Sequence, residues 1–283
     1  RPDVEIFFSH KVEAIHKSSN GYVVFTDQGK TLQTKTLVVN ADSYSLLMAK
    51  QLGYGKEFSL IPIAGSFYFS RQILHGKVYT VQEPKLPFAA VHGDPDIHAN
   101  GETRWGPTAR FYPVLEARNF KTSFDFLRSS GLSRVATWMS FAKILLDPIR
   151  FKYLLENMLY ELPWIGKRMF LKNVRKIVPT MQASDVRIAK GYGGMRLQRV
   201  NTDTRELLLG EGKILGDHVI FNMAPSPGAS VCLYNAMRDT ETVLSFLGSK
   251  YSFDKARMQS DLYVPIEQMA APGDVSLKEA YAS

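Results

Sequence analysis

The chain has 283 residues, 45% hydrophobic and 22% charged, which suffices for one large or two ordinary domains around a buried core. Its single cysteine, Cys232, excludes a disulfide framework and a multi-cysteine zinc or iron–sulfur site, and its six histidines never fall at the i, i+4 spacing of a helical zinc site. No apolar run approaches the roughly 18 residues of a membrane-spanning helix, so a cytoplasmic protein, peripheral on the membrane at most, is expected.

In chain order, Val4, Ile6 and Phe8 alternate, Tyr22 to Phe25 follows, Asp27-Gln28-Gly29 reads as a turn and Leu37-Val38-Val39 as a further β-rich run. Period and turn chemistry predict a strand meander, and its abrupt start reads like the middle of a domain. Strand-like stretches recur at 66–69, 78–81, 88–91, 103–110, 195–200, 207–209 and 219–222, which predicts a large, mostly antiparallel sheet. Between Phe120 and Val178 the period becomes helical. Val135, Trp138, Met139, Ala142, Leu145 and Leu146 form one stripe; Phe151, Leu154, Leu155, Met158, Leu159 and Leu162 form another. Both stripes are expected to be buried. Asp147-Pro148 supplies an N-cap and a first-turn proline, and Pro163 a stop. The charge is uneven: residues 118–176 hold twelve Lys/Arg against four acids, an excess equal to the net +8 of the whole chain. A last helix is predicted from near Pro227 to about Leu247, then a looser tail over 251–283.

Three segments offer chemistry. In Phe221 to Ser230 a buried strand ends in a tight loop that opens the last helix, with Ser226 placed to cap and Pro227 at the first helical position. The backbone N–H groups of Gly228, Ala229 and Ser230 then suit an anion or an electron-rich carbonyl; a well-capped structural helix is the plainer reading. In Gly191 to Gln198, paired glycines permit close approach to the backbone just before a strand presenting Arg196, whose planar fork suits a carboxylate. A turn or bulge followed by a surface arginine is the plainer reading. His92 ends an apolar strand beside Gly93, where it is either a base near neutral pH or a structural histidine.

Together and in this order, Val38-Val39-Asn40-Ala41, the strand Ile61 to Tyr68, Pro87-Phe88 with His92 and Gly106-Pro107-Thr108-Ala109, Gly193 to Gln198 and Asn222 to Ser230 resemble a flavoprotein family. It is that of L-2-hydroxyglutarate oxidase and malate:quinone oxidoreductase, in the glycine/D-amino-acid oxidase superfamily. The resemblance implies an α+β fold: the remainder of an FAD-binding domain at 1–58 and 187–250, a substrate domain at 59–186 with a helical insertion at about 119–178, and a tail at 251–283. It implies FAD-dependent oxidation of malate or L-2-hydroxyglutarate to the 2-oxo acid. Arg196 and Tyr68 would bind substrate, His92 would accept the hydroxyl proton, and Val12, Ala41, Gly194, Ser226, Gly228, Ala229 and Ser230 would contact FAD. Quinone and an anionic membrane surface are the expected partners. Relatives begin with a G-x-G-x-x-G turn that holds the FAD pyrophosphate. None occurs here, so the chain is expected to be a C-terminal part. Where relatives carry Ala-Gly beside the flavin, this chain has Ala41-Asp42. A flavin amine oxidase on the same scaffold and a non-enzymatic membrane-binding module are the alternatives.

Overall fold

The computed structural model describes residues 3–83, 86, 90–160, 162, 165–208, 210–223 and 228–262. Its strands and helices run β1 (Val12–Ser18), β2 (Gly21–Thr26), β3 (Thr31–Thr34), β4 (Leu37–Val39), α1 (Ser45–Gln51), β5 (Phe58–Ala64), β6 (Tyr68–Ser70), β7 (Val78–Tyr79), β8 (His92–Pro95), β9 (Thr103–Gly106) and β10 (Arg110–Phe111). Four helices follow: α2 (Ser123–Ser130), α3 (Val135–Leu145), α4 (Pro148–Tyr160) and α5 (Ile165–Val174). The chain then returns to strands, β11 (Arg187–Ile188), β12 (Met195–Asn201), β13 (Glu206–Leu208), β14 (Gly212–Gly216) and β15 (Val219–Met223), before α6 (Gly228–Leu247) and α7 (Lys255–Leu262). The fold class is α+β, as expected. Two compact units divide at 232/233; the second holds most of α6 and all of α7, the latter a helix where only a loose tail was predicted.

In place of one large sheet, the strands of the first unit form four sheets among the described residues. The opening meander is β1-β2-β3, closed at Gly29 (φ +74°) by the Thr26 amide donating to the Lys30 carbonyl. It begins at Val12; Val4, Ile6 and Phe8 are exposed and lie outside any strand. The 37–39 run leaves the meander altogether. As β4 it pairs in parallel with β15, which also pairs antiparallel with β14. The stretch 61–68, predicted as one strand, is two: β5 pairs with β10 and β12, whereas β6 pairs with β9 and β11. The sheet β10-β5-β12-β13 joins strands from both sides of residue 187, β5 and β10 before it and β12 and β13 after it.

Two cores hold the first unit. Leu60 and Leu197, on one face of the β5–β12 pair, meet Val39, Val219, Phe221 and Met223 of the mixed sheet, and Leu46 and Leu47 of α1 complete that cluster. Tyr68 and Trp105, on one face of the five-stranded sheet, meet Phe170, Leu171 and Val174 of α5. Each such side chain contributes about 2 kcal/mol when fully buried.

The helical region departs from expectation in its burial. Asp147 does cap α4, its Oδ1 accepting from the Ile149 and Arg150 amides at 3.0 and 3.1 Å. Yet the first stripe faces outward: Val135 is 73% exposed, Trp138 57% and Leu146 80%. What α3 buries is Thr137, Ser140 and Ile144. The Thr137 hydroxyl donates to the Gly131 carbonyl at 2.8 Å and that of Ser140 to Ala136 at 2.7 Å, so these small side chains satisfy themselves where α3 meets the loop after β12. In α4, Phe151, Leu155 and Met158 are likewise exposed, and Asn157 is the buried residue.

Candidate functional site

β4 and β15 are parallel neighbours with their carboxyl ends on the same side, the edge at which open parallel sheets bind ligands. Ala41 follows β4 there, and the chain leaves β15 toward Gly228, the first residue of α6. Asn222 Nδ2 donates to Asn40 Oδ1 at 2.6 Å and ties the two strand ends together. Asp42 takes a left-handed φ of +44°, a conformation natural to glycine and tolerated by aspartate. The backbone therefore keeps a glycine-like geometry although the side chain differs. Ser226 lies outside the described residues, as do the side chains of Ala229 and Ser230; the backbone of 228–230 is the first turn of α6. Val12 is half-buried in the first pairing of the meander.

Gly193 and Gly194 serve different ends. Gly193 has φ +105°, and a Cβ on it would stand 1.9 Å from the Gly65 carbonyl oxygen, so what approaches its backbone is the chain itself. A Cβ on Gly194 would meet nothing within 4 Å, while its carbonyl accepts from the Gly65 amide at 3.1 Å. One glycine is needed by the fold; the other borders open space.

Arg196 lies on β12 with its side chain on the face shared by Gln198 and Val200, opposite Leu197 of the first core. It is half-buried, and burial pulls its pKa below the usual range, offset by the phenols of Tyr153 and Tyr79. Among the described residues it makes no ion pair and no side-chain hydrogen bond. Most buried charges have a partner, so this cation stands ready for an anion.

His92 is only 5% exposed. Its Nδ1 lies 3.0 Å from the Ala90 carbonyl, and its Nε2 lies 3.9 Å from Asp94 Oδ1, a buried oxygen with no hydrogen-bond partner. Arg104 holds Asp94 at 2.7 Å and Asp96 at 3.0 Å. Burial lowers the His92 pKa, so the imidazole is neutral at neutral pH. With the Nδ1 proton on the Ala90 carbonyl, Nε2 keeps a lone pair. The Tyr79 ring lies 4.8 Å from that of His92. Tyr79 also acts electrostatically on Arg196, which lies in a different sheet from His92. Tyr68 does not join them: by strand register it points to the opposite face from His92, where it stacks on Phe170 at 4.7 Å in the second core. Tyr79 and Tyr153 were missed, because a short exposed strand and a helical aromatic carry no motif.

Comparison with known proteins gives the family context. No protein-family model matches the sequence. The chain is 43% identical over 266 residues to malate:quinone oxidoreductase of Helicobacter pylori strain J99, covering 93% of this chain and 58% of that protein. It is 42% identical over 253 residues to a probable malate:quinone oxidoreductase of Campylobacter jejuni, covering 88% and 56%. Against L-2-hydroxyglutarate dehydrogenase of Escherichia coli identity is 24% over 263 residues, with 87% and 56% covered. The chain therefore spans a little over half the length of the curated relatives it matches. These relatives are oxidoreductases, and they bear out the resemblance read from the sequence motifs.

Proposed function

We propose that the protein oxidises a small (S)-2-hydroxy dicarboxylate, malate or L-2-hydroxyglutarate, to the 2-oxo acid with FAD and passes the electrons to quinone. The observation that carries the reading is Arg196, a half-buried cation with no anionic partner among the described residues, in a chain 43% identical to a malate:quinone oxidoreductase. A substrate carboxylate would supply the missing charge and accept two parallel N–H donors, which fixes the orientation of the carbinol carbon. His92, kept neutral by burial, is suited to take the hydroxyl proton on Nε2. Its low exposure requires Tyr79 to move aside on binding. We keep Tyr68 as a support for this wall through its packing on Phe170.

The described residues fit a flavin at the carboxyl edge of β4 and β15. The positive φ of Asp42 and the first turn of α6 leave backbone free there to face a planar ring, and Gly194 has an open side of its own. Ala41, Gly194 and Gly228 to Ser230 would hold it, with Ser226 and Val12 as further contacts to the cofactor. Bound there, FAD would accept the hydride from the carbinol carbon. We assign the mixed sheet to the remainder of the FAD-binding domain, and β12 and β13, with β5 and β10, to the substrate domain.

The outward apolar faces of α3 and α4 favour attachment to a membrane surface, since they combine with the basic excess of 118–176. No helix of the described residues is long and apolar enough to cross a membrane. A simple amine without a carboxylate is disfavoured because it offers Arg196 no anion.

The test is direct. A chain carrying the relatives' full length should purify yellow, and its flavin should bleach under anaerobic malate or L-2-hydroxyglutarate. Bleaching by amino acids alone would reject the hydroxy-acid reading. Co-sedimentation with anionic vesicles that falls with salt is expected; indifference to such vesicles at low salt would reject the membrane surface.

A further inference from the structure

A cavity of about 510 Å³ lies between the β10-β5-β12-β13 sheet and the helices α3 and α4. Its walls are almost wholly apolar, with Ile61, Ile63 and Ala109 at the sheet side and Phe141, Ile144 and Leu154 on the helices. Its size is that of pockets which enclose a small organic ligand. Three of its other lining residues, Trp138, Leu145 and Met158, are among the exposed apolar side chains of α3 and α4. The cavity therefore opens on the apolar outer face of the helical region.

Two polar side chains in this lining can donate hydrogen bonds. The Nε of Arg150 is buried and has no hydrogen-bond partner. The side-chain amide of Gln198, a residue only 3% exposed, also belongs to the lining. Both offer N–H donors inside an apolar enclosure that holds no carboxylate. A cationic ligand would be repelled by Arg150, and an anionic one would have that single cation to pair with inside apolar walls that exclude water. An aliphatic chain would fill the space but leave the two donors unsatisfied. An uncharged, flat ring bearing carbonyl acceptors satisfies both conditions.

We infer that this cavity binds the ring of a lipid-soluble quinone, with Arg150 and Gln198 donating to its carbonyl oxygens and its apolar chain leaving past Trp138, Leu145 and Met158. The inference rests on the proposed function and adds the place at which the acceptor binds. Gln198 stands two residues from Arg196 on the same face of β12, so donor and acceptor sites are adjacent along one strand. The chemistry balances: the hydroxy acid loses two electrons and two protons, and the quinone gains two of each and leaves as quinol.

Decylubiquinone is the probe, used on the full-length, flavin-loaded protein. It should quench the fluorescence of Trp138, and Trp138→Phe should remove that quenching component. Arg150→Met should weaken binding tenfold or more. Ala142→Phe, placed at an exposed lining residue, should raise the quinone KM at least tenfold and leave the rate with a water-soluble dye unchanged. The inference is overturned if both variants bind decylubiquinone as tightly as the parent protein, or if decane derivatives lacking the ring bind equally well. A protein that no hydroxy acid reduces would overturn the proposed function instead, and the fluorescence titration would still decide the cavity.

Discussion

Arg196→Met separates a binding arginine from a structural one, because the two roles move different observables. A structural arginine has partners, and its removal strands them; breaking a buried pair costs about 3–5 kcal/mol. Arg196 has no ion pair or side-chain hydrogen bond among the described residues, and burial already disfavours its charge. Its replacement by a similarly long apolar side chain should therefore leave stability unchanged within about 1 kcal/mol, or raise it. Binding should respond the other way. Two charge-assisted hydrogen bonds to a carboxylate contribute about 1.5–3 kcal/mol each, and losing even one unit of that size lowers kcat/KM by roughly tenfold to 150-fold. Thermal unfolding of the flavin-free protein reads the first quantity, and dye-coupled kinetics on malate and L-2-hydroxyglutarate the second. Arg196→Lys should recover the charge but not the bidentate fork, giving an intermediate KM. A melting temperature lowered by many degrees with unchanged KM would refute the assignment.

His92→Gln should lower kcat more than it raises KM and should abolish the acidic limb of the pH profile. That limb should lie below about 6.5, since burial lowers the His92 pKa; a limb above that value would remove His92 from the role. Lys50, whose amine donates to the Ser129 carbonyl at 2.6 Å, is pulled down to about 8 chiefly by burial. Between about pH 8 and 10.5 the unfolded chain binds a proton that the folded chain has released, so stability should rise across this window by an amount on the order of 2 kcal/mol. Denaturant titrations of the parent and Lys50→Met proteins check this: the slope should vanish in the variant. Gly193→Ala should cost about 2 kcal/mol or more, because the added Cβ meets the Gly65 carbonyl at a positive φ. Gly194→Ala should leave the melting temperature of the flavin-free protein nearly unchanged while lowering FAD retention. Equal effects of the two substitutions would contradict the division of roles.

Local chemistry made part of this fold legible. Asp147-Pro148 states a helix start in two residues, and the structure has the aspartate capping the Ile149 and Arg150 amides. Gly29 states a turn, and the hairpin closes there. Less legible was anything that depends on a partner distant in sequence. Leu37 to Val39 has the composition of any buried strand, and nothing in it says that its neighbour is Val219 to Phe221 and parallel. Tyr68 and His92 both sit in short strands of one sheet, yet only the register assigns them to opposite faces. The helical stripes carry the sharpest lesson. A 3.6-residue period proves that a helix has an apolar face; whether that face is covered is decided by what packs beside it. In α3 the buried positions are Thr137, Ser140 and Ile144, which leaves Trp138 and Leu146 exposed. An apolar face of this extent with basic residues around it is costly in water and favourable at a lipid surface. The property that defeated the burial expectation is thus the same one on which the proposed membrane attachment rests.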